Sequence, residues 1–154
     1  MTKTRSKSTF HLFACASLFL FSPIDAASAC LGEEKLLFSC TTKNNKQINL
    51  CDTGKTIRYS YGKTGSTPEL SLAVPRKTAT TYQWQGTGRW ANYIVNVPNR
   101  GTVYRIFWGY DRLSDEHEIE AGVNVTVNGN DVSTVHCKNA SIEHDLEGVD
   151  LRAE

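Results

Sequence analysis

The sequence predicts an all-β protein, an antiparallel β-sandwich or a small barrel of about eight or nine short strands. Three observations support this fold class. Apolar, β-branched and aromatic residues alternate with polar ones in short segments, and residues typical of tight turns separate these segments. The 154-residue chain also carries five cysteines, which in a small exported protein are typical of disulfide bonds.

Nine segments have the composition or the alternation of β-strands. In chain order they are residues 35–42, 46–52, 56–61, 69–74, 80–85, 93–97, 102–108, 122–127 and 132–137. The turn between the last two is the clearest, because Asn128-Gly129 tolerates the positive φ of a tight hairpin turn. At residues 112–120 we expect a single helical turn.

Residues 1–29 have the composition of a secretory signal peptide. A basic start is followed by an apolar run and then by Ala27-Ser28-Ala29, the form that a signal peptidase cuts. The apolar run of about 12 residues is shorter than the roughly 20 that a membrane-spanning helix needs. The sequence therefore predicts a periplasmic or secreted protein without a membrane span, with a single β domain over residues 30–154. In an alternative, Cys30 is the acylated first residue of a lipoprotein.

The cysteines are odd in number only while the signal peptide is attached. Cys15 leaves with that peptide, and Cys30, Cys40, Cys51 and Cys137 remain. Four cysteines in an exported domain predict two disulfides with three possible connectivities. We expect Cys40–Cys51 to staple a local hairpin and Cys30–Cys137 to join the ends. The spacing contains no C-x-x-C pair, so we expect no structural zinc site.

The formal net charge is +1, which gives no general attraction to nucleic acid, and we expect no such partner. The charges are distributed unevenly. Residues 35–112 contain 12 basic and three acidic residues, whereas residues 113–154 contain ten acidic and two basic ones. Two interpretations remain open: an acidic face that attracts a cationic partner, or strands from both halves that mix the charges on the surface.

The sequence offers little catalytic chemistry. It contains no G-x-S-x-G, no H-E-x-x-H and no phosphate-binding loop. His117 lies in a charged run, and His136 adjoins Cys137 on a predicted strand, where neighbouring side chains point to opposite faces. The acidic residues of the C-terminal third leave a glycosidase open on composition alone. We therefore expect no catalytic residue, no metal ion and no cofactor.

The segment from residue 82 to residue 110 is the most informative part of the chain. It holds eight aromatic residues, including all three tryptophans. Between Trp84 and Trp90 lie two glycines and Arg89, a composition that suits a protruding loop. Because Trp, Tyr and Arg most often anchor interfaces, we predict a partner-binding loop formed by Arg89, Trp90 and Tyr93. The alternative interpretation places many of these aromatic side chains in the core.

The sequence has a recognisable overall pattern. A leader typical of exported proteins is followed by Phe38-Ser39-Cys40, by Cys51, by many short strands and by a late cysteine. This pattern resembles the small periplasmic lysozyme inhibitors of Gram-negative bacteria, particularly those acting on invertebrate-type lysozymes and more loosely the c-type group. The resemblance implies an antiparallel β protein that obstructs a muramidase cleft with a loop. The Ser-Gly-x-x-Tyr segment of the c-type group does not occur, and the nearest stretch, residues 88–93, lacks the serine. No family site residue is therefore carried over.

These observations predict an exported protein that binds another macromolecule and catalyses no reaction. The expected partner is a peptidoglycan hydrolase, either a lysozyme or the cell-wall effector of a rival bacterium that an immunity protein neutralises. The alternative function is a carbohydrate-binding module that stacks cell-wall glycan on an aromatic platform.

Overall fold

The computed structural model describes residues 29–154 as two β-sheets. The predicted signal peptide, apart from its last residue, lies outside the described residues. The strands are β1 Lys35–Thr41, β2 Lys46–Asp52, β3 Thr56–Lys63, β4 Leu70–Pro75, β5 Thr80–Gln83, β6 Trp90–Asn99, β7 Thr102–Asp111, β8 Ile119–Val127, β9 Asn130–His136, β10 Glu143–His144 and β11 Arg152–Ala153. Two short 3₁₀ helices, Arg76–Thr78 and Asn139–Ser141, accompany them.

One sheet has the strand order β10-β1-β2-β3-β4, and the other has the order β11-β5-β6-β7-β8-β9. Neighbouring strands are antiparallel except for β11 and β5, which run parallel. The two sheets pack together without closing into a barrel. The predicted all-β fold is therefore confirmed, and of its two forms the structure has the sandwich.

The inner faces of the two sheets form a single core. Alternate residues of β1, β2 and β3 supply one side, and alternate residues of β6, β7 and β8 supply the other. The most deeply buried side chains include Phe38, Ile48, Ile57, Tyr59, Val95, Ile106 and Val123. Because these side chains are apolar and come from both sheets, their burial holds the sheets face to face.

Every predicted segment forms a strand, and β6, β7 and β8 are each at least three residues longer than expected. β6 and β7 pair without interruption from Trp90 opposite Asp111 to Asn99 opposite Thr102. Because this pairing continues past the residues whose polar and apolar side chains alternate clearly, both strands extend beyond their predicted ends. β10 and β11 were not predicted, because each has two residues and is held by pairing with β1 or β5.

The predicted helical turn at residues 112–120 is wrong. Residues 112–118 form an irregular turn, and Ile119 already begins β8. The backbone N–H of Asp111 donates to the carbonyl oxygen of Glu118 over 2.9 Å, which closes the turn as part of a hairpin. His117 has a φ of +47°, a backbone conformation that a right-handed helix does not contain.

The preferred disulfide pairing is also wrong. The structure contains Cys30–Cys51 and Cys40–Cys137. In the β1–β2 hairpin, Cys40 lies opposite Ile48 on the inner face, three positions from Cys51. Side chains an odd number of positions apart on a strand point to opposite faces. Cys40 therefore reaches Cys137 through the core, whereas Cys51 meets Cys30 on the outer face.

Residues 142–154, here called the C-terminal segment, close one side of the sandwich. Leu146 is fully buried. Both polar atoms of the Gln83 side-chain amide bind the backbone of this segment. Nε2 donates to the carbonyl oxygen of Leu146 over 2.9 Å, and Oε1 accepts from the N–H of Gly148 over 2.8 Å. The segment is thus part of the core and not a loose tail.

Candidate functional site

Two loops meet at one end of the six-stranded sheet, and together they are called the loop pair here. The first loop, residues 84–89, connects β5 to β6, and the second, residues 112–118, connects β7 to β8. They meet because Trp90 and Asp111, which adjoin the two loops, lie opposite each other in the β6–β7 ladder. The pairing of the central strands therefore sets the distance between the loops.

A buried carboxylate anchors the first loop. Oδ2 of Asp111 accepts a hydrogen bond from Nε of Arg89 over 2.7 Å and lies 2.5 Å from its Nη2. The Asp111 side chain is 1% exposed, whereas that of Arg89 is 62% exposed. The other oxygen, Oδ1, accepts from the N–H of Leu113 over 2.9 Å. The hydrogen bond from Arg89 is the main reason that the pKa of Asp111 lies below its usual value.

Arg112 joins the second loop to the first. Its guanidinium lies over the indole ring of Trp84, 4.5 Å from the ring centroid, a cation–π distance. Its Nη1 donates to the carbonyl oxygen of Gly88, and its backbone N–H donates to that of Arg89, each over 2.9 Å. Both loops are therefore held in one arrangement by contacts between them.

The first loop is also fixed from within. Nε1 of Trp84 donates to the carbonyl oxygen of Thr87 over 2.7 Å. Gly86 and Gly88 have φ values of +84° and +90°, which side chains disfavour. The two glycines of the sequence pattern are thus required by the turn that returns the chain to Arg89.

The exposed tip of the loop pair combines apolar and charged groups. Leu113 is 72% exposed, and its backbone is fixed by the hydrogen bond to Asp111. Asp115, Glu116 and Glu118 are exposed in the same loop. The loop pair therefore exposes an apolar side chain and three acidic ones, and Asp111 links the backbone of Leu113 to the guanidinium of Arg89.

The three residues of the predicted binding loop do not share one surface. Arg89 belongs to the loop pair, and Trp90 follows it on β6. Tyr93 lies three positions beyond Trp90 on the same strand, so the two side chains point to opposite faces. Tyr93 faces inward and stacks on Trp108 with 5.8 Å between ring centroids.

The sequence did not predict that three further residues belong to the loop pair. Asp111, Arg112 and Leu113 are more than 20 positions from the first loop. Only the β6–β7 register brings them together. Trp84 belonged to the aromatic segment but had no visible partner, because its partner Arg112 comes from another loop.

Apart from the loop pair, a cluster of aromatic side chains lies inside the sandwich. His144 stacks on Trp108 with 3.9 Å between ring centroids, and Nδ1 of this histidine is buried without a hydrogen-bond partner in residues 29–154. Burial lowers the pKa of His144, while the negative charges of Glu147 and Asp145 oppose that shift. We interpret this cluster as packing for the C-terminal segment.

The lowered pKa of His144 predicts that stability depends on pH. Because burial lowers its folded-state pKa below the ordinary value of 6.5, the unfolded chain binds more protons, and stability falls as the pH falls below 6.5 toward the folded-state pKa. The midpoint of thermal unfolding should therefore be lower at pH 5.5 than at pH 7.5. The carboxylates of Asp111 and Glu34, whose pKa values lie below 3.8 and 4.5, stay charged across this range and do not contribute to the change.

Two variants test the assignment of that pH dependence. His144→Phe keeps a ring on Trp108 but cannot titrate, so it should weaken the fall between pH 7.5 and pH 5.5. His136→Phe, at an exposed position, should leave that fall unchanged. A fall of equal size in wild type and His144→Phe would contradict the assignment.

The described residues bring one group of potential metal ligands together: Cys30, Glu34 and Cys51. Both cysteines are joined in a disulfide, so neither offers the thiolate that a metal would need. Glu34 instead pairs with the guanidinium of Arg58. Within residues 29–154 there is also no helix long and apolar enough to cross a membrane.

Comparison of the chain with protein-family models, with curated proteins and with solved structures finds no match.

Proposed function

We propose that this chain is an exported binding protein that inhibits a peptidoglycan hydrolase by placing the loop pair in the enzyme's cleft. The observation that carries the proposal is the bracing of two exposed loops by Asp111 and Arg112. A rigid loop loses little conformational entropy on binding, so more of its contact energy appears as affinity. The enzyme is a lysozyme in one form of the proposal and the effector of a rival bacterium in the other.

The chemistry of the loop pair suits such a partner. Trp and Arg dominate the side chains that anchor protein interfaces, and Leu113 adds an exposed apolar group beside them. The acidic residues around it favour a cationic enzyme, because complementary charge raises the association rate and excludes wrong partners. The loops combine an exposed apolar side chain with charged ones, the two kinds of group that protein interfaces use at their centre and rim.

Two features support export. Two disulfides in the described residues are typical of an oxidising compartment such as the periplasm or the cell exterior. Residues 1–29 have the composition of a cleavable leader. Sγ of Cys30 is bonded to Cys51 and is not free to carry a lipid, which favours a soluble exported form over the lipid-anchored alternative.

Inhibition is tested by titrating the purified protein against c-, g- and i-type lysozymes. We expect muramidase activity of at least one type to fall at a stoichiometric concentration of the protein. Absence of inhibition for all three types would remove the lysozyme form of the proposal. Capture from periplasm of competing bacteria, followed by an activity assay on peptidoglycan, would then decide the effector form.

Two exposed leucines give a matched pair of variants. Leu113→Ala should raise the inhibition constant about ten-fold or more, because burying a leucine side chain at an interface contributes about 1.5–3 kcal/mol. Leu31→Ala removes a side chain that is 66% exposed and lies outside the loop pair, so it should leave the constant unchanged. Equal weakening by both changes would contradict binding through the loops.

Glycan binding is the second candidate function, and the structure offers it less support. Arg112 covers the ring of Trp84, and His144 stacks on the ring of Trp108, so each of these rings has a face that a sugar cannot use. Trp90, half-buried on the outer side of β6, is then the tryptophan best placed for the platform. A titration with soluble peptidoglycan fragments that leaves tryptophan emission unchanged would count against this function.

A further inference from the structure

A cavity of about 320 Å³ lies between the two sheets, far along the strands from the loop pair. Tyr59, Tyr61 and Leu70 line it from one sheet, and Tyr104, Val125 and Val135 line it from the other. The lining strands include β4 and β9, which are edge strands of their sheets.

The cavity lining is mostly apolar, and Tyr59 is the most deeply buried of the hydroxyl-bearing residues that border it. Tyr59 is 1% exposed and stacks on Tyr104 with 5.2 Å between ring centroids. Its hydroxyl takes part in no hydrogen bond with another group of residues 29–154, whereas that of Tyr61 accepts one from Asn44 Nδ2 over 3.2 Å. Burial raises the pKa of Tyr59, so its hydroxyl keeps its proton and remains a donor. Because this oxygen is not among the fully enclosed unpartnered polar atoms of residues 29–154, the hydroxyl can donate to a ligand in the cavity.

We propose that this cavity binds a small apolar molecule carrying one carbonyl oxygen, which accepts the hydrogen bond of Tyr59. The volume is about twice the 150 Å³ of a cavity that holds benzene, so a ligand of about a dozen non-hydrogen atoms fits. Aliphatic and aromatic side chains surround its apolar part, and the hydroxyl orients it, as in most small-molecule sites. The site shares no residue with the loop pair and does not rest on the proposed function.

The experiment uses two aromatic molecules of similar shape, propiophenone and propylbenzene, titrated into the purified protein by calorimetry. We expect saturable binding of propiophenone at one site per chain. Tyr59→Phe should weaken propiophenone binding about five-fold, the equivalent of one neutral hydrogen bond, and should leave propylbenzene binding unchanged. Tyr82→Phe, on an exposed tyrosine outside the cavity, should change neither.

Two further variants test the location of the site. Val125→Phe fills the cavity from the six-stranded sheet, and Leu70→Phe fills it from the edge of the other sheet. Each should abolish propiophenone binding while circular dichroism confirms the β fold, and either one suffices if the other does not fold. No saturable binding of propiophenone, undiminished affinity in Tyr59→Phe, or undiminished affinity in a folded cavity-filling variant would overturn the proposal.

Discussion

Replacing Cys40 and Cys137 by alanine should lower the free energy of unfolding by about 4.7 kcal/mol. The two cysteines are 97 positions apart, and closing so long a loop removes much of the conformational entropy of the unfolded chain. Domains of this size are stable by about 5–15 kcal/mol in total. The loss therefore equals nearly the whole stability of a domain at the lower end of this range.

The second disulfide serves as the matched control for this prediction. Cys30 and Cys51 are 21 positions apart, so their replacement by alanine should cost about 3.3 kcal/mol by the same relation. Urea unfolding of the two double variants measures both values. An equal loss for the two pairs, or a larger loss for Cys30 and Cys51, would contradict the entropic explanation.

Leu146→Ala should lower the free energy of unfolding by about 3 kcal/mol, within the range observed when a fully buried leucine is truncated. Leu146 is 0% exposed, and its carbonyl oxygen is bound by the Gln83 amide. The cavity left behind cannot be filled easily, because that hydrogen bond and the pairing of β10 with β1 fix the backbone on either side.

Leu31→Ala is the control for Leu146→Ala. Its side chain is 66% exposed, so its truncation should change stability by less than about 0.5 kcal/mol. Thermal and urea unfolding of both variants test the difference. A small effect of Leu146→Ala would show that the C-terminal segment separates from the core before the sandwich unfolds.

The strands were predictable because a half-buried sheet imposes a two-residue period on the sequence. Once the strand bounds are known, the same period explains where the structure places two other sets of predicted residues. Trp90 and Tyr93 are an odd number of positions apart, so one strand cannot present both on a single face. Cys40 and Cys51 required the register of the β1–β2 hairpin as well, and register is set by pairing that the sequence does not display.

The loop pair was predictable only in part, for a related reason. Arg89 was found from the glycines and tryptophans next to it in the chain. Its partner Asp111 lies 22 positions away, and the two meet because β6 and β7 pair along their whole length. Contacts that depend on tertiary register leave no local pattern, so Asp111, Arg112 and Leu113 became visible only in the folded structure.

The Cys40–Cys137 bond has a consequence for proteolysis. It closes a covalent ring that contains both loops of the loop pair, since residues 84–89 and 112–118 lie between the two cysteines. A protease that cuts one loop therefore opens the ring without releasing a fragment. The nicked molecule should keep its mass, apart from one added water, until a reductant separates the two pieces. A single cut in either loop would therefore leave the two pieces joined in one molecule.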